Sequence, residues 1–100
     1  MIVMPSAHKS SKNLKYLAGL SNLVKLDLAN TKVDDEGLSS LRSLGSLQFL
    51  GLYGTQVTDA GMEHLACLKR LTFLDVYDTQ VSGGGAARLA EALPDYRINY

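Results

Sequence analysis

The chain has 100 residues, 46% of them apolar and 20% charged, with two prolines, which is the makeup of one folded domain rather than a disordered segment. Ten basic residues balance ten acidic ones, so the cationic surplus that marks nucleic-acid or anionic-membrane binding is missing. The single cysteine, Cys67, excludes an internal disulfide and a multi-cysteine zinc site, and fits a reducing, cytoplasmic compartment. No apolar run approaches the roughly 20 residues that span a bilayer, so membrane insertion is not expected. Met1–Pro5 is too short for the apolar region of a signal peptide.

Shifted against itself by 24 positions, the chain aligns its apolar residues in columns, and the predicted elements follow that period. A first strand lies around Ile2 and Met4. A helix capped by Ser10, with Leu14, Leu17 and Leu20 on one stripe, comes next. Leu23, Leu26 and Leu28 then lead into a second strand, followed by Thr31, Val33, the cap Asp34 and the helical stripe Leu38, Leu41 and Leu44. The order returns as Leu47, Leu50, Leu52, Thr55, Val57, Thr58, Met62, Leu65 and Leu68. It returns again as Leu71, Leu74, Val76, Thr79, Val81, Ser82, Ala86, Leu89 and Ala92. Ile98 and Tyr100 mark a last strand. Alternation in the strands buries every second side chain, and the Leu-x-x-Leu-x-x-Leu spacing lines one helical face. Each cap accepts from an orphan amide of the first turn, while Asp35, Glu36 and Asp59 complement the helix dipole. Gly37, Gly61 and Gly85 form a further column.

One such unit cannot bury its own face, so neighbours stack. Parallel strands stand about 4.8 Å apart and helices about 10 Å, which bends the stack with the sheet on the hollow side. The threonine hydroxyls are expected to satisfy backbone groups of the next turn, where the bend removes sheet hydrogen bonds.

The stretches LVKLDLANTKVDDEGLSSLRSLGS and LQFLGLYGTQVTDAGMEHLACLKR resemble the leucine-rich repeat family, and most closely its bacterial 24-residue class, with Thr in the usual Asn position and a VTDAGL-type helix start. The resemblance implies an α/β fold: a right-handed solenoid, or short horseshoe, with a concave parallel sheet and convex helices. It also implies protein binding without catalysis or cofactor. The expected division is one domain over 1–100, with a degenerate unit at 1–22, full repeats at 23–46 and 47–70, a divergent repeat at 71–94 and a closing strand at 95–100. Ala7, Lys9 and Asp95 depart from the columns, as terminal capping units do. The chain is either a complete small protein or the tail of a longer one.

With Leu26, Leu50 and Leu74 facing inward, their strand neighbours face solvent. These outward columns read Met1, Lys25, Phe49, Phe73, Arg97; then Val3, Asp27, Gly51, Asp75, Asn99; then Pro5, Ala29, Tyr53, Tyr77. Phe49, Phe73, Tyr53 and Tyr77, bordered by Lys25, Asp27, Asp75, Asp78 and Arg97, have the composition of a partner-binding surface. The plainer role for the same rings is cross-strand pairing that stabilises the sheet, and the two are compatible. The partner expected is a protein. The exposed edge strands offer a homo-oligomer as the alternative, in a structural or self-associating fragment.

Catalytic readings are thinner. Asp27 and Asp75, about 10 Å apart across two strand spacings, are better read as solvated charges than as an acid–base pair. His64 and Cys67 are better read as a surface histidine and a structural thiol than as a nucleophilic pair. His8 stands alone, so no metal site is expected. The run Gly83–Leu89 lacks the Gly-Lys-Ser/Thr ending of a phosphate loop, and Asp34-Asp35-Glu36 supplies too few ligands for calcium.

Overall fold

The computed structural model describes residues 2–3, 19–93 and 97–99, the segments at each end by their backbone course. Five strands, β1 (Ile2–Val3), β2 (Lys25–Asp27), β3 (Phe49–Gly51), β4 (Phe73–Asp75) and β5 (Arg97–Asn99), form one sheet in the order β1-β2-β3-β4-β5. Every pairing is parallel, and Leu26 lies opposite Ile2 on one side and Leu50 on the other, with Leu74 and Ile98 continuing the row. Successive coils therefore sit in the register expected from the sequence period.

The ladder runs beyond the strands. Leu28 N donates to the Gly51 carbonyl at 2.8 Å and Asn30 N to the Tyr53 carbonyl at 2.7 Å; Leu52 N and Gly54 N repeat the pattern on Asp75 and Tyr77. The chain then turns through a residue in the left-handed region: Asn30 (φ 59°), Gly54 (φ 70°) and Asp78 (φ 56°). Asn, Gly and Asp are the types that reach this conformation at least cost. Thr31 and Thr55 follow, buried, and their hydroxyls donate at 2.7 Å to the carbonyls of Leu28 and Leu52; Thr79 does the same to Val76. The threonines thus close their own coil's turn and do not reach the next coil. The backbone ladder already joins the coils at this level.

The return segments carry α1 (Asp35–Leu38), α2 (Met62–Leu65) and α3 (Gly83–Ala92), with 3-10 turns at Ser39–Leu41 and Asp59–Gly61. Leu38, Leu41, Leu44, Met62, Leu65 and Leu68 are all buried, yet Leu44 and Leu68 lie beyond their helices. A strict interval of three suits the 3-10 period of about three residues per turn, so no single α-helix spans the stripe. In the last coil Leu93 is buried where Ala92 is expected, Ala92 being half-buried. Leu20, the first member of that column, is 41% exposed.

Leu26, Leu50 and Leu74, with Leu28, Leu52 and Val76, form the inner face of the sheet. Leu47 and Leu71 enter behind them, and Val33 and Val57 close the turn. Leu23 and Val81, at the two ends, are only partly buried. Ser10, Leu14, Leu17, His8, Met1, Met4, Pro5, Asp95 and Tyr100 lie outside the described residues.

Candidate functional site

Strand alternation places Lys25, Phe49 and Phe73 on the face away from the core, and β5 brings Arg97 into register with Phe73. The phenylalanine rings lie 4.9 Å apart with planes 2° from parallel. That distance is the strand spacing of about 4.8 Å, so register alone stacks the rings and each covers a face of the other. Both are half-buried. Tyr53 and Tyr77, two residues past the strand ends, open to 6.0 Å and 13°, and are 38% and 53% exposed. The sheet-stabilising role thus has its clearest geometry in the phenylalanines, and the tyrosines carry the accessible ring surface.

Asp27 and Asp75 are not simply solvated. Each is half-buried and its Oδ1 accepts from an amide two residues on, Ala29 N and Tyr77 N, both at 3.0 Å. The carboxylates therefore shape the turns that leave the strands. Between them Gly51 is buried, and a Cβ there would stand 2.9 Å from Asp27 Oδ1 and 3.6 Å from Phe49 Cε1. The Asp27 carboxylate thus occupies the space that a side chain at position 51 would need. Lys25 and Asp78 are exposed at opposite ends of these columns.

On the helical side the coils are joined by a device that the apolar columns do not reveal. Asp35 Oδ1 accepts from Thr58 N at 2.7 Å and its Oδ2 from the Thr58 hydroxyl; Asp59 holds Ser82 in the same way, at 2.7 and 2.6 Å. Each carboxylate thus grips the cap residue of the following coil. Asp34 Oδ1 and Ser82 Oγ accept in turn from Gly37 N and Gly85 N, while Thr58 Oγ1 accepts from Ala60 N. The glycine column makes room for this clamp: a Cβ at Gly61 would run into Asp35 Oδ1, and one at Gly85 into Asp59 Oδ1. Column spacing showed the glycines, and the Asp-to-cap interval of 23 residues is the signal that connects them to the acids. The Ser82 hydroxyl and amide, with a smaller contribution from Arg88, hold the Asp59 carboxyl below its ordinary pKa. An acidic oxygen pair therefore already sits at the start of α3, where an incoming phosphate would meet like charge.

Cys67 is exposed, a correction to its reading as a structural thiol. Its Sγ donates to the His64 carbonyl at 3.3 Å, not to the imidazole. His64 is half-buried with Nδ1 shielded from solvent, so it is not a free surface histidine. A small cavity between α2 and α3 is lined by Met62, Glu63, Ala66, Arg88 and Leu89. Among the described residues no group of three or more His, Cys, Asp or Glu side chains is placed to hold a metal ion, and no helix is long and apolar enough to cross a membrane.

Stacked parallel coils, one strand each, with helical returns on one side and an open sheet face on the other, define an α/β solenoid. Comparison with known proteins gives the class: residues 19–41 match the Leucine Rich repeat family model, and the chain has the leucine-rich repeat fold. It superposes on a leucine-rich repeat protein of Leptospira interrogans with a TM-score of 0.59 and 21% identity, covering 86% of this chain and 27% of that one. An internalin of Listeria monocytogenes gives a TM-score of 0.60 and 21% identity over 86% of this chain and 30% of the internalin. The chain thus spans less than a third of either bacterial protein. No curated protein sequence matches it.

Proposed function

We propose that the chain is a non-catalytic protein-binding module that receives its partner on the open face of the sheet, through Phe49, Tyr53, Phe73 and Tyr77 with Lys25, Asp27, Asp75 and Arg97 around them. The observation that carries this reading is the paired aromatic wall, whose outer pair, Tyr53 and Tyr77, stays 38% and 53% exposed; among the described large apolar side chains only Leu20 and Val24, in the first coils, are exposed to a like degree. Large rings fixed on a rigid sheet lose little freedom on binding, which is why such residues anchor interfaces. The leucine-rich repeat fold is in keeping with an interaction role. Catalysis finds no support in the two constellations considered: the Asp27 and Asp75 carboxylates are engaged in their own turns, and the Cys67 thiol faces a carbonyl.

Selection of a random peptide library on the immobilised chain tests the proposal. Binders are expected whose affinity falls about tenfold or more on Phe49→Ala with Tyr77→Ala, a loss in the range of interface anchors. The double variant is expected to keep its cooperative unfolding. Binders that hold both proteins equally, or collapse of the variant's fold, contradict the reading. Self-association through β1 and β5 is the second reading, resting on their place at the sheet edges. A mass that rises with concentration in light scattering is its expected sign.

A further inference from the structure

We infer that α3 is a releasable strap: two charges supplied by the preceding coil, Asp59 at one end and Lys69 at the other, hold it shut, and α3 opens on its own while the sheet stays paired. The device lies on the helical side of the molecule and does not depend on the docking reading of the sheet face.

The sequence of α3 gives the helix little stability of its own. Gly83, Gly84 and Gly85 fill its first turn, and glycine is the weakest helix former after proline. That turn has no acidic residue and the last turn no basic one. Glu91 instead places negative charge near the C-terminal end, where the helix dipole disfavours it. The shorter helices differ, since α1 has Asp35 and Glu36 in its first turn and α2 has Glu63.

Both missing charges come from the coil before. Asp59 Oδ1 accepts from Ser82 N at 2.7 Å and its Oδ2 from the Ser82 hydroxyl at 2.6 Å, at the start of the helix. At the other end the Lys69 ammonium donates to the Ala92 carbonyl at 3.1 Å, one of the acceptors that a helix end leaves without an internal partner. An anion at the N-terminal pole and a cation at the C-terminal pole thus oppose the dipole from outside the helix. The position 24 before Lys69 is Gly45, so the preceding coil has no ammonium at this place.

Between the two fastenings the packing is incomplete. A cavity of about 100 Å³ separates α2 from α3, with Met62, Ala66 and Leu89 in its lining. A void of this kind forfeits contacts that would otherwise hold the middle of the helix. The residues that α3 buries are Gly85, Ala86 and Leu89, so Leu89 is its one large anchor. The pairings of β3 with β4 and of β4 with β5 use no residue of α3, and its release leaves them in place. Opening turns the cavity into an apolar strip of Met62, Ala66 and Leu89 that faces solvent.

Native-state amide hydrogen exchange on the full chain tests the strap. The α3 amides from Ala86 to Leu93 are expected to exchange about tenfold or more faster than Leu28 and Leu52, whose amides hold the sheet ladder. Their rates are expected to rise little with low urea, the sign of a local opening. Asp59→Asn and Lys69→Gln are each expected to speed the α3 amides about threefold or more, with the gap to Leu28 and Leu52 persisting. In the Asp59→Asn chain, Gly84→Glu is expected to slow α3 about twofold more than Gly84→Gln, because it returns an acid to the first turn. Amides of α3 that share the rate and urea dependence of Leu28 and Leu52 overturn the inference. So do α3 rates indifferent to both charge variants, or equal effects of Glu and Gln at position 84.

Discussion

The two middle coils and the last coil build their convex sides differently. In the middle coils Leu44 N donates to the Leu41 carbonyl and Leu68 N to the Leu65 carbonyl, both at 3.0 Å and three residues back. In the last coil Ala86 N reaches Ser82 at 3.0 Å and Leu93 N reaches Leu89 at 3.1 Å, four residues back. The buried positions follow suit. Leu38, Leu41, Leu44 and Met62, Leu65, Leu68 advance by threes, whereas Ala86, Leu89 and Leu93 advance by three and then four. The interval between apolar residues thus tracks how far the α-helix runs, since α1 and α2 stop after four residues and α3 continues for ten. Threes suit tight turns of about three residues each, and a three-then-four pattern suits the α period of about 3.6.

The sharpest way to break this comparison is to truncate the third anchor in each region. Leu44→Ala and Leu93→Ala are each expected to cost about 2–5 kcal/mol, as buried leucines do. Ala92→Ser is expected to cost under about 1 kcal/mol, because Ala92 is only half-buried. Denaturant unfolding of the three variants checks the order, and a costly Ala92→Ser with a mild Leu93→Ala would reverse the assignment.

Glycine substitutions sharpen it next. Gly61→Ala is expected to destabilise by about 1–3 kcal/mol, because its Cβ meets Asp35 Oδ1 and comes within 2.9 Å of Leu38 Cδ1. Gly84→Ala, in α3, has only Ser82 Oγ nearby, at 3.6 Å, and is expected to stabilise by about 0.5–1 kcal/mol through helix propensity. Thermal unfolding midpoints that move in opposite directions meet this expectation. Acid is the gentlest probe. Asp59 is held below its ordinary pKa in the folded chain, so its contribution is present above the unfolded carboxyl value of about 4 and lost as pH falls through the lower folded value. Asp59→Asn is therefore expected to lower the melting temperature at pH 7 and to converge on the wild-type chain in strong acid. A difference that stays constant with pH would show that the carboxylate charge plays no part.

The inner columns were legible in the sequence because a parallel stack makes like contact like: Leu26, Leu50 and Leu74 recur at one interval and meet in space. The helix caps Asp34, Thr58 and Ser82 were legible for the same reason, since each accepts from a first-turn amide. The α/3-10 division was not foreseen, although the interval of three encodes it. The left-handed column Asn30, Gly54, Asp78 contains no apolar residue and escapes a search for hydrophobic columns. The clamps from Asp35 to Thr58 and from Asp59 to Ser82 join positions 23 apart, so a comparison at 24 separates the partners. At the candidate site, the sequence placed the four rings on one face. Their unequal exposure arises because the tyrosines stand beyond the strands, where the pairing that presses the phenylalanines together has ended.

Amide chemical-shift mapping of a selected peptide on the isotope-labelled chain tests the docking claim most directly. Changes concentrated at Phe49, Gly51, Tyr53, Phe73, Asp75 and Tyr77 are predicted. Changes centred on the groove between α2 and α3, around Glu63 and Arg88, with the sheet amides unmoved, would contradict it.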